Sequence, residues 1–148
     1  MASQDSPRWR DIPFDELEPG VARYSFYALD PATVAHIEGV LDPSHRPPPG
    51  IGAGVPPWVY TSFLPMFRAL GGRMAQGTIH THQSITVHSP AARVGDVLDA
   101  EVTVVSAEAD GDRRRVDVQT VLTHQGRAVC TTRSRYLWGF SAPRGGAR

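Results

Sequence analysis

Apolar residues follow two different periods along this chain, and the change falls at Gly71 and Gly72. The stretch before it, VPPWVYTSFLPMFRALGG from Val55 to Gly72, is apolar on every side of a helical wheel. Besides Tyr60, its only polar side chains are Thr61, Ser62 and Arg68. A helix with no wet face belongs in a core. Pro56 and Pro57 suit a first helical turn, where the missing N–H has no partner to lose. The glycine pair suits a left-handed stop. Pro65 lies inside the run and predicts a kink. The run is too short and too interrupted to span a bilayer.

After the glycines the period becomes two, the mark of strands. Thr78–His88 sets Ile79, Thr81, Gln83, Ile85 and Val87 on one face and His80, His82, Ser84, Thr86 and His88 on the other. Val97–Val105 follows a turn at Ser89–Asp96, with Leu98, Ala100, Val102 and Val104 on one side. Ser106–Asp112 reads as a polar connection. Arg114–His124 and Ala128–Trp138 complete the series across a short hairpin turn at Gln125-Gly126. Ahead of the helix, Val21–Leu29 alternates as a first strand, and Asp30 suits the cap of a short helix from Pro31 to Val40. Asp42–Val55 is rich in proline and glycine and reads as a long loop, either functional or disordered.

One apolar helix cannot cover itself, whereas a curved antiparallel sheet wrapped around it can. The expected class is therefore α+β, a hot-dog fold with one long buried helix. Residues 1–20 read as an N-terminal tail, 21–140 as a single domain and 141–148 as a flexible C-terminal tail. Sheet edges need covering, which argues for a dimer.

Composition adds exclusions. Lys+Arg and Asp+Glu balance at 15 each, so no net charge recruits nucleic acid or a membrane. A single cysteine, Cys130, allows no internal disulfide and fits a cytoplasmic location. From Pro43 to Gly95 there is no acidic residue, while Arg46, Arg68, Arg73, Arg93 and four of the six histidines lie there. Such a region suits a phosphate-bearing arm or an acidic carrier protein, with Arg73 a candidate contact. Scattered solvent charges are the alternative. His80-x-His82 has the spacing of a metal pair, but no nearby acid or thiol completes a site, so no metal and no cofactor is expected.

Helix, then G-x-x-H-x-H-Q, then S-P-x-x-x-G-D at the head of a strand, resembles the MaoC-like branch of hot-dog proteins. More narrowly, it is similar to the half-length FAS1-like dehydratase N-terminal type. The best-matched stretch is His80–Asp96, HTHQSITVHSPAARVGD. The resemblance implies hydration or dehydration of acyl thioesters on coenzyme A or acyl carrier protein, or a silent half that pairs with an active one. Active members carry G-D-x-N-P-x-H before the helix. Here the loop reads Gly39-Val40-Leu41-Asp42-Pro43-Ser44-His45. Gly39, Pro43 and His45 match, Asp42 replaces the asparagine, and Val40 replaces the aspartate that works with the histidine.

Adding water to a 2-enoyl thioester needs a base, an acid and donors for the thioester oxygen. His45 is the acid/base candidate, with Asp42 orienting it or the water. Backbone N–H groups near Val55 and Trp58 are candidate oxyanion donors. Val40, His80, His82 and Gln83 are candidates for the acyl-binding walls. Three readings stay open: a homodimeric hydratase/dehydratase, a non-catalytic subunit in a heterodimer with another hot-dog chain, and a repurposed enzyme in a natural-product pathway.

Overall fold

The computed structural model describes residues 9–34, 50–88 and 91–140. Its frame is a five-stranded antiparallel sheet. The strands are β2 (Ala22–Ala28), β4 (Ile79–Val87), β5 (Val97–Asp110), β6 (Arg113–His124) and β7 (Arg127–Leu137), in the order β2-β5-β6-β7-β4. Two short strands, β1 (Asp11–Ile12) and β3 (Arg73–Met74), pair in parallel beside it. The β6–β7 turn is Gln125-Gly126, both with positive φ (53° and 80°), as a tight hairpin requires.

The apolar run does not form one helix. Pro57–Thr61 is a 3-10 helix, the backbone turns extended at Ser62 (ψ 140°), and α1 (Leu64–Leu70) begins anew. Pro65 therefore sits in the first turn of a helix, where it costs no hydrogen bond, and produces no kink. Ser62 Oγ accepts the Leu64 N–H at 3.2 Å. At the other end Gly71 takes the left-handed conformation (φ 77°), and the Gly71 and Gly72 N–H groups both donate to the Phe67 carbonyl.

Three hydrogen bonds fasten this helical pair to β2. Tyr27 donates to the Val59 carbonyl at 2.7 Å, Ser25 to the Pro65 carbonyl at 2.6 Å, and Arg68 to the Phe26 carbonyl at 3.0 Å. Burial is one-sided: Val59, Tyr60, Pro65 and Met66 are buried, Phe63 and Phe67 are half-buried, and Trp58 is 45% exposed. The all-round burial expected from the sequence is absent in the single chain.

Residues 9–20 are no tail. Ile12 and Leu17 are buried, and Trp138 Nε1 donates to the Ile12 carbonyl at 2.8 Å. The segment docks through β1 against β3, where Arg73 pairs with Asp11. Asp30 does cap a helical turn at residues 31–34, accepting the Thr33 N–H at 2.7 Å. The remainder of the expected helix to Val40 lies outside the described residues.

Among the described residues the core has two apolar clusters. One joins Tyr27, Leu29, Val34, Val55, Val59, Tyr60, Leu98 and Leu122. The other joins Ile12, Met66, Val102, Val116, Val118, Tyr136 and Trp138. Where they meet, beneath the break at Ser62, the sheet turns polar.

Candidate functional site

The site is built by an irregularity in β4. Ile79 and His80 pair with Leu137 and Tyr136, whereas His82 and Gln83 pair with Arg135 and Ser134. Thr81 is the extra residue of a β-bulge, and its hydroxyl reaches the Arg135 carbonyl at 3.2 Å. A bulge breaks the two-residue period. His80 and Gln83, three apart, consequently share the face turned toward α1, while His82 takes the outer face beside Asp117, Arg133 and Arg135.

The strict alternation expected for Thr78–His88 is thus corrected. His80 and His82 do not share a face, and Ile79 leaves the face of Gln83. Among the described residues no cluster of three metal-ligating side chains forms.

His80 stacks on Tyr136, ring centroids 4.9 Å apart, and meets the Phe63 ring edge-on at 6.0 Å. Its imidazole stays exposed beside the open edge of the sheet. Tyr136 is buried and reaches the Met66 sulfur at 3.9 Å. Burial raises the Tyr136 pKa, so the phenol stays neutral and able to donate.

Behind this aromatic cluster lies a cavity of about 20 Å³, lined by Tyr60–Phe63 and Met66 on the helical side. Gln83, Val118, Thr120, Thr132, Ser134 and Tyr136 line it on the sheet side. None of these residues is acidic or basic. The Tyr60 hydroxyl is engaged elsewhere, accepting the Ala92 N–H at 3.2 Å.

Of the other candidates, Val55 is buried in the first apolar cluster, and Trp58 stands at the 3-10 helix with half its surface in solvent. Arg73 pairs with Asp11 and is not among the residues lining this cavity. Arg68 lies over the Phe26 ring (4.5 Å), and Arg93 donates to the Gly52 carbonyl at 3.1 Å. These arginines have structural partners. Val40, Asp42 and His45 lie outside the described residues. The residues flanking that loop, Val34 and Val55, belong to the same cluster as Val59 and Tyr60.

Sequence reasoning missed Thr120, Thr132, Ser134 and Tyr136 as cavity residues. The signal available for Thr120 was its hydroxyl among the inward valines of β6, Val116 and Val118.

No protein-family model matches the chain, and no curated protein matches it. Solved structures do. An (R)-hydratase from A. caviae involved in PHA biosynthesis aligns with a TM-score of 0.53 at 23% identity, covering 82% of this chain and 97% of that one. The C-terminally truncated HadBC complex of Mycobacterium tuberculosis, a 3R-hydroxyacyl-ACP dehydratase, aligns at 0.54 and 16% identity, covering 80% and 95%. A probable thioesterase from Bartonella henselae aligns at 0.51 and 14% identity, covering 79% and 90%. The fold is the hot-dog fold. Hot-dog structures similar to this chain thus include a hydratase, a dehydratase and a probable thioesterase. No helix among the described residues is long and apolar enough to cross a membrane.

Proposed function

We propose that this hot-dog chain acts on acyl thioesters of coenzyme A or acyl carrier protein, adding or removing water at a 2-enoyl/3-hydroxyacyl group in the manner of MaoC-like proteins. The observation that carries this reading is the bulge at Thr81. It turns His80 and Gln83 toward the helical pair, where His80 meets Phe63 and Gln83 lines the cavity.

Water addition divides into proton removal from water, attack on the β carbon and protonation of the α carbon. His45 supplies the acid/base and Asp42 the carboxylate that orients it. Backbone N–H groups near Val55 and Trp58 hold the thioester oxygen as charge develops there. Pro56 and Pro57 contribute none. His80, packed on Tyr136 and Phe63, forms an aromatic wall for the acyl group.

A second reading has its own support. Val40 stands where the related motif has aspartate, and no described residue of the cavity is a carboxylate. A silent half that shapes the site of a partner hot-dog subunit needs neither group. In either reading the open edge of β4, with Ile79, Ile85 and Val87 exposed, is the proposed seam with a second hot-dog subunit in the cytoplasm.

The test is turnover of a short 2-enoyl-CoA by the purified chain, followed as loss of enoyl absorbance. The enzyme reading expects turnover, and His45→Ala lowering it by about two to four orders of magnitude. No turnover alone, with turnover restored by a second hot-dog subunit, selects the silent half. Turnover indifferent to His45 removes that residue from the mechanism.

A further inference from the structure

The polar floor of the cavity is unlike the rest of the core. Thr120 and Thr132 face each other across β6 and β7, with Ser134 and Gln83 paired one step along on β7 and β4. All four side chains line the same space, between one apolar cluster and the other. Thr132 and Ser134 are each only 7% exposed. Ser134 is engaged with the Tyr136 phenol. For the Thr132 and Thr120 hydroxyls and the Gln83 amide, the described residues supply no hydrogen-bond partner.

Thr132 is buried while Thr120 and Gln83 are half-buried, and native cores rarely leave a buried hydroxyl such as that of Thr132 without a partner. A threonine pair at these positions fills about the volume of a valine pair, so packing does not require hydroxyls. The volume, about 20 Å³, fits one group the size of a water molecule. Phe63 and Gln83 are half-buried at its solvent side, whereas Met66 and Val118 close the interior.

We infer that this cavity is the end of the acyl site and receives one neutral oxygen function, so that the chain selects short acyl thioesters bearing a distal hydroxyl or carbonyl over purely aliphatic ones. This rests on the acyl-thioester reading above. The Thr120 and Thr132 hydroxyls both donate and accept, and the Gln83 amide does the same, so the distal oxygen is bound whichever role it takes. A methyl in its place would leave these groups unpaired, and a site built to hydrogen-bond a hydroxyl rejects the analogue lacking it far more strongly than a greasy pocket rejects a size change. A carboxylate at that end is disfavoured, because no cation lines the space. A long alkyl chain has no room.

The experiment is calorimetric binding of two thioether analogues of equal length, S-hydroxybutyl-coenzyme A and S-pentyl-coenzyme A, which need no catalysis. The expected result is tighter binding of the hydroxybutyl analogue by about tenfold or more, the equivalent of one well-made hydrogen bond. Thr132→Val should abolish the preference, and Thr132→Ser, which restores the hydroxyl, should keep it. Equal or tighter binding of the pentyl analogue by the unaltered chain overturns this inference and leaves the acyl-thioester reading standing. Failure of both analogues to bind overturns that reading and this inference with it. Equal weakening of both analogues by Thr132→Val would mark Thr132 as structural only, and would also overturn it.

Discussion

The Tyr27 phenol and the Val59 carbonyl are joined by a 2.7 Å hydrogen bond across the junction of sheet and helical pair. Because the chain turns extended at Ser62, the last carbonyls of the 3-10 helix have no helical N–H to accept. Tyr27 supplies the missing donor for Val59 from the neighbouring strand. Tyr27→Phe therefore leaves a buried carbonyl unpaired and should lower stability by about 1–3 kcal/mol in urea unfolding. A change under a few tenths of that would mean water replaces the phenol freely.

The same burial dictates an alkaline limit. Desolvation pushes Tyr27 from 10.0 up to about 12, and Cys130 from 9.0 up to about 11. Both groups are neutral when protonated, so the folded state holds its protons more tightly than the unfolded state does. Their contribution is complete below about pH 9 for Cys130 and pH 10 for Tyr27, and is lost as pH rises through about 11 and 12. Unfolding midpoints should therefore fall steadily from pH 9 to 12. In Cys130→Ala the fall should begin about one unit later. A flat profile over that range would contradict the burial of both groups.

Gly72 is a second strict position. A Cβ there would lie 2.6 Å from the Arg10 carbonyl oxygen and 2.7 Å from Ile12 Cγ1. Gly72→Ala should cost about 1–3 kcal/mol through overpacking. It should also loosen residues 9–17, read as faster tryptic cleavage at Arg10. Unchanged cleavage would show that the N-terminal segment holds without the β1–β3 pairing.

Deleting Thr81 removes the extra residue and leaves His80 opposite Tyr136 and His82 opposite Arg135. His80 and Gln83 then keep their common face, and the variant should fold with a melting temperature near that of the parent chain. Deleting Ser84 instead forces Ile85 and Val87 to the outer face, because a one-residue slip flips every later side chain. Its melting temperature should fall well below that of the Thr81 deletion. Equal losses in the two would refute the bulge.

The loop motif is tested by exchange. If the chain is a silent half, Val40→Asp with Asp42→Asn restores the related motif, and weak hydration of a 2-enoyl-CoA should appear. If Asp42 already serves, Asp42→Asn alone should remove existing activity, because an amide neither accepts a proton from water nor balances an imidazolium. Activity retained in Asp42→Asn excludes Asp42 from either role.

Much of this architecture was legible in the sequence, and its departures share a cause. The alternation of β5, β6 and β7 is carried by Leu98, Ala100, Val102 and Val104, by Val116 and Val118, and by Tyr136, and burial alone enforces it. β5 runs on to Asp110, past its expected end at Val105, because a register shift at Val104/Ser106 restarts the alternation with Ala107 inward. The shift at His80/His82 likewise hid the common face of His80 and Gln83. A bulge is set by cross-strand pairing, which a single strand's pattern does not contain. The single long helix failed for another reason. Composition reports that a segment is apolar, whereas the break at Ser62 depends on Tyr27 waiting on the neighbouring strand to satisfy the Val59 carbonyl it frees.

The polar seam in the core runs across β6, β7 and β4 rather than between strands. β5 places Leu98 and Ala100 in one apolar cluster and Val102 and Val104 in the other, and β6 does the same with Leu122 and with Val116 and Val118. β5 and β6 are thus beams fixed in both halves. Neither half can melt without tearing strands that the other still holds, so the seam is no hinge between subdomains. Heating should give one calorimetric peak whose van't Hoff and measured enthalpies agree. A ligand that fills the seam would raise the temperature of that single peak and would not split it.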